Sequence, residues 1–113
     1  MGDGPSRGDH LRVAVRRAAD RTTASLRGDL DLATASRLRS QLESLVAERP
    51  SQLVIDLDAV TFVDATGLAV LVGTQQQLAR EGGRMTLHHP SRMLRRMILL
   101  LDLEQALPVE PAN

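Results

Sequence analysis

The stretch LVIDLDAVTFVDATGLAVLVG, residues 53–73, leaves the chain few ways to fold. Leu53, Val54, Ile55 and Leu57 make an almost continuous apolar run after Pro50, which is how a strand covered on both faces is written, so this strand belongs in the centre of a sheet. From Asp64 the period changes from strand to helix. At about 100° per residue, Leu68, Leu71, Val72, Gln75, Leu78 and Ala79 fall within an arc of roughly 120°, the expected buried face. The pair Gly82 and Gly83 then ends the helix in the manner of a C-cap.

The flanking segments extend this unit in both directions. Leu11, Val13 and Val15 alternate with Arg12, Ala14 and Arg16, and Thr22 to Leu26 resumes a strand pattern after a turn at Ala19 to Arg21, which predicts an antiparallel hairpin. Ala35, Leu38, Leu42, Leu45 and Val46 mark one face of a helix over about Leu32 to Glu48. Beyond the double glycine come a strand, Arg84 to His89, and a last helix introduced by Pro90 and Ser91 with Leu94, Met97, Ile98 and Leu101 inward. Ala106 to Val109 reads as a short edge strand. The order predicts an α/β fold: a mixed sheet of four to five strands with a parallel centre, packed with helices, and with its site beyond the carboxyl ends of the strands. Residues 10–110 form the single domain; 1–9, rich in glycine and charge, and 111–113 read as tails.

Composition removes several classes of function. Fourteen arginines, with no lysine, balance fourteen acidic residues, and Phe62 is the lone aromatic, so the chain offers neither the field nor the stacking platform of a nucleic-acid binder. Without cysteine there is no disulfide, thiolate nucleophile or sulfur metal site, which suits a reducing cytosol. The longest apolar run, Met97 to Leu101, is far short of the roughly 20 residues of a membrane helix. Met1, Gly2 and Ser6 fit the spacing of an acylation signal, a short and common match outweighed by the reading as a tail.

Interest concentrates at the strand-to-helix junction. Asp64 is placed to cap the helix, favoured there by the positive end of the helix dipole. Thr66, Ala69, Val70 and Gly73 lie opposite the expected buried face, a smooth, uncharged surface on which a protein partner could lie flat. A single Gly67 with no following lysine does not meet a nucleotide-loop pattern. His88 and His89 would point to opposite faces of an extended strand and share no metal, and Asp56 and Asp58 lack the partners of a catalytic set; no enzyme, cofactor or metal is expected. Arg92, Arg95 and Arg96 with Leu99 and Leu100 read first as a solvated helix face and second as a contact surface for an acidic partner or phospholipid.

In order and spacing, GDLDLATASRL, IDLDAVTFVDATGL and LEQALPV together resemble a STAS domain of the type found in bacterial anti-sigma factor antagonists, over about residues 11 to 109. The resemblance implies a cytoplasmic partner-switching protein, monomeric or weakly dimeric, that binds a serine kinase serving as anti-sigma factor and so frees a sigma factor. It implies docking through Asp31, Asp64, Ala65, Thr66, Gly67, Ala69, Val70 and Gly73, with helix capping as the equal alternative for Asp31 and close packing for Gly67. In the family the phosphoacceptor directly follows the junction aspartate; here that residue is Ala65, which leaves Thr66 as the candidate acceptor, against the favoured alternative of a first-turn threonine bonding its own backbone. Asp102 stands where the family often has glycine. The alternative the resemblance allows is a non-switching STAS accessory subunit of a lipid-transporting ABC system.

Overall fold

The structure, a computed structural model, describes residues 11–110; the tails expected at 1–9 and 111–113 and the acylation-like start lie outside the described residues. The elements follow in the order β1 (Arg12–Arg17), β2 (Thr22–Leu30), α1 (Ala35–Ala47), β3 (Gln52–Val63), α2 (Ala65–Arg80), β4 (Arg84–His88) and α3 (Arg92–Leu100). They build one sheet in the order β1-β2-β3-β4, in which β1 and β2 are the expected antiparallel hairpin and the two other pairings are parallel. The expected edge strand at Ala106 to Val109 is reduced to a parallel bridge from Val109 to Leu87, held by the Leu87 N–H on Pro108 O and the Glu110 N–H on Leu87 O.

This strand order decides where the helices go. The chain steps from β2 to β3 to β4 in one direction, so successive right-handed crossovers set their helices on the same face of the sheet. There α1 packs against α2 and α2 against the strands, and Leu94 and Ile98 of α3 join the same hydrophobic core as Leu38, Leu42, Ile55 and Leu71. The central run is buried on both faces at Leu53, Val54 and Ile55, as its apolar pattern predicts, while farther along β3 the side turned away from these helices opens out at Asp58. The opposite face carries the row Ser25, Asp56 and His88 across β2, β3 and β4, and among the described residues no helix covers it, although Val54 and Thr86 are buried.

Residue patterns account for the elements. All five residues expected to face inward from α1 are buried. Ser91 caps α3, its hydroxyl accepting the Leu94 N–H at 3.0 Å, and Gly82 closes α2 at φ 83°. On α3 only Leu94 and Ile98 are fully buried; Leu101, expected inward, is exposed beyond the last turn. Asp102 takes the left-handed conformation, φ 59°, so the corner at which glycine was expected keeps that backbone shape with a residue less suited to it.

Gly67 sets how close α2 lies to the sheet. A β-carbon there would collide with the carbonyl of Leu30 and lie 2.7 Å from the Leu30 side chain, backbone that cannot yield without moving β2. Gly67→Ala is expected to destabilise the protein by roughly 2–3 kcal/mol, measured as a shift of the urea midpoint at unchanged m.

Candidate partner-docking site

β2 and β3 run parallel and end side by side, with Leu30 paired to Val63, so the loops that follow them meet at one end of the sheet. Asp64 holds them together. Its Oδ1 accepts the Gly67 N–H at 3.0 Å, the N-cap bond of α2, while its Oδ2 accepts the Leu32 N–H of the neighbouring loop at 3.3 Å. Its own N–H donates to Leu30 O at 3.0 Å. One carboxylate thus caps a helix and fixes a second loop to it.

Asp31 is turned inward, only 7% exposed. Its N–H donates to the Thr34 hydroxyl oxygen at 3.0 Å and its Oδ1 accepts the Thr34 N–H at 3.1 Å, the reciprocal pattern of a capping box. The Thr34 hydroxyl, wholly buried, donates to Asp29 O at 2.8 Å. Of the two readings weighed for Asp31, the local one describes these bonds, with the difference that the turn they close precedes α1, which begins at Ala35 instead of Leu32. Thr34 was not singled out in the sequence, although an acidic residue and a threonine three places apart before an amphipathic run is the spacing that identifies such a turn.

The residues expected at the docking face divide in two. Ala65, Ala69 and Gly73 are exposed along one side of α2, and Thr66 is half-buried with no side-chain hydrogen bond among the described residues. Gly67 is buried against Leu30, which is the close-packing alternative. Val70, expected outward, is 4% exposed and faces the core, and Thr74 beside it is buried with its hydroxyl donating to Val70 O at 2.8 Å. The buried face of α2 is Gly67, Leu68, Val70, Leu71, Thr74 and Leu78, while Ala79 is exposed. It is rotated by roughly 60° from the expected arc, because α2 lies against α1 as well as the sheet.

Two residues outside the expected set complete this end. Leu32 is 76% and Phe62 54% exposed, and with Asp31, Ala33 and Asp64 they line an open, largely apolar depression of about 380 Å³. Large apolar side chains in loop and strand-end positions are the signal that could have marked them.

The histidines lie on the uncovered face. His89 leaves the strand in a left-handed conformation, φ 57°, so its ring stands edge-on to that of His88 with centroids 5.9 Å apart, instead of on the opposite face. Partial burial pushes the Asp56 carboxyl up, but the Asp58 N–H, the His89 ring and the charges of both histidines outweigh it and hold the group below its ordinary value. Among the described residues no group of three acidic or histidine side chains is arranged to hold a metal.

Asp64→Ala removes the cap and the tie to Leu32 together and is expected to lower stability by about 1–2 kcal/mol in thermal unfolding, whereas Asp64→Asn, whose single amide oxygen can accept the Gly67 N–H but whose NH2 cannot accept the Leu32 N–H, keeps the cap, loses the tie and falls in between. For Asp56 the folded-state value lies below the unfolded one, so the carboxylate contributes stability above about pH 4 that is lost as the pH falls through the folded value. Asp56→Asn is expected to flatten the acid limb of stability against pH below about pH 4, as followed by urea titrations across that range.

The comparisons with known proteins agree with this geometry. The family model for the STAS domain matches residues 12–112. The anti-sigma-F factor antagonist RsfB of Mycobacterium tuberculosis is 38% identical over 72 residues, 64% of this chain and 52% of that protein, so the chain spans about half the length of that relative. The anti-sigma-B factor antagonist of Bacillus subtilis is 30% identical over 100 residues, covering 88% of this chain and 91% of that one. Among solved structures, an anti-sigma factor antagonist from Mycobacterium paratuberculosis superposes with a TM-score of 0.82 at 31% identity, over 96% of this chain and 92% of its own. The sheet order, the capped junction and these matches together place the chain in the STAS domain family.

Proposed function

We propose that this protein is an anti-sigma factor antagonist: it binds a serine kinase acting as anti-sigma factor at the end of the sheet where β2 and β3 stop, and in doing so releases a sigma factor. The observation that carries the reading is the contrast at that end. Ala65 and Ala69 expose a small, uncharged helix face beside the outward Leu32 and Phe62, while Asp64 fixes both loops in place. A prearranged surface of this kind loses little entropy on docking. The names of the mycobacterial and Bacillus relatives support the class of partner.

The reading includes a loss of regulation at one position. A phosphate on the residue after the junction aspartate would add about −1.5 to −2 charges to the contact face and oppose binding. Ala65 has no oxygen to receive it, so the complex escapes that form of interruption, and Thr66 is left as the hydroxyl of the first turn.

Incubation with ATP and each serine-kinase anti-sigma factor of the same host, read by intact mass, tests this. The wild type is expected to bind and to gain no phosphoryl group, or to gain one that Thr66→Ala abolishes, whereas Ala65→Ser gains one and loses affinity once modified. Absence of binding to any of these kinases, or phosphate on the wild type that persists in Thr66→Ala, overturns the reading.

A further inference from the structure

α3 is charged against its own dipole. The start of a helix is its positive pole and the end its negative one, so acidic side chains are favoured at the start and basic ones at the end. Here Arg92, Arg95 and Arg96 occupy the N-terminal half, the last turn holds no basic residue, and the carboxylates of Asp102 and Glu104 follow just beyond the end. All of these side chains are exposed, and none of them makes an ion pair or a hydrogen bond among the described residues. Asp102 even keeps its carboxylate at a left-handed corner, φ 59°, that suits glycine better.

Apolar side chains share this face with the charges. Met93 and Leu100 are seven residues apart and so lie on one side of the helix, away from the buried Leu94 and Ile98, and Leu99 and Leu101 are exposed beside them. These four are the greater part of the large hydrophobic side chains exposed in the described residues; Leu32 and Phe62, at the junction, are the others. Along about 12 Å from Arg92 to Leu100, at about 1.5 Å per residue, the outward face therefore passes from arginine to leucine and then, at the corner, to carboxylate.

We infer that α3 is a self-association surface, on which a second copy of this chain lays its own α3 antiparallel about a two-fold axis near the level of Ile98. Turning the helix end for end about that level carries Asp102 of the second copy level with Leu94, between Arg92 and Arg96, and brings the exposed leucines of both copies together at the centre. The two dipoles then oppose each other, and the carboxylates of each copy stand at the positive pole of the other. One patch serves both copies, as two-fold closure requires. An anionic lipid surface or an acidic partner would attract the arginines and repel Asp102 and Glu104, and a basic partner would do the reverse. A partner whose charges run in the opposite order satisfies both, and an antiparallel copy of α3 is such a partner. The face is short, so the dimer is weak, with a Kd on the order of 100 µM. The inference does not depend on the docking reading above.

Sedimentation equilibrium of the full chain from about 10 µM to about 1 mM tests it. The wild type is expected to pass from monomer to dimer over that range and to dissociate more readily in about 0.5 M salt, which screens the charge pairs. Leu100→Ser is expected to weaken the dimer by roughly tenfold or more with an unchanged Tm, because the side chain is 80% exposed in the monomer. Arg92→Glu with Arg96→Glu on one chain, and Asp102→Asn with Glu104→Arg on another, are each expected to be monomeric alone and to form a heterodimer when mixed, since each change of charge then meets its complement. Mixing does not restore chains that have failed to fold. A wild type that stays monomeric at about 1 mM, a dimer untouched by Leu100→Ser and by both charge variants, or charge variants that stay monomeric when mixed overturns the inference. A monomer that instead pellets with phosphatidylglycerol vesicles makes the occupant a lipid surface and overturns it as well.

Discussion

The first turn of α2 lies directly on the carbonyl of Leu30, with no side chain between them, and much of the molecule follows from that approach. It brings the N-terminus of α2 to the end of β2 as well as to the end of β3, from which it grows. Asp64 makes use of the short distance, because one carboxylate can reach the Gly67 N–H of its own helix and the Leu32 N–H of the next loop only if the two are close. A larger residue at position 67 would part the helix from β2 and stretch both bonds.

Held this way, the end of the sheet is rigid where a partner would meet it. The polar groups there are largely engaged with one another: Asp31 with Thr34, Thr34 with Asp29, Asp64 with both loops. What is left to the outside is apolar or small, Leu32 and Phe62 on one side and Ala65, Ala69 and Gly73 on the other. This division suits recognition better than chemistry, since reacting groups need free lone pairs and protons and docking needs desolvated surface. The opposite end of the sheet is fastened differently, by the exposed forked pair of Arg17 on Glu48 that joins the end of β1 to the end of α1.

Much of this was legible residue by residue. The inward face of α1 could be read from spacing because a helix resting on one surface buries one stripe, and the caps at Asp64 and Ser91 because a helix start needs a side-chain acceptor whatever surrounds it. Val70 could not, because the wheel assumes a single buried side and α2 has two, one against the sheet and one against α1. His89 was misplaced for a related reason: strand alternation holds only while the backbone stays extended, and the chain turns left-handed there.

The sequence by itself determined the kinds of element, their order and the junction: the β-branched apolar run after Pro50 reads as a buried strand, the change of period at Asp64 as a turn into a helix, and Ala65 cannot carry a phosphate. These are local properties, fixed by periodicity and by the chemistry of single side chains. Tertiary structure alone decided that the helices crowd one face of the sheet, that Asp31 turns inward, and that Gly67 is pressed against Leu30. Each of these depends on which distant segment comes to lie against a residue, and that is set by strand order and crossover hand, which no window of sequence contains.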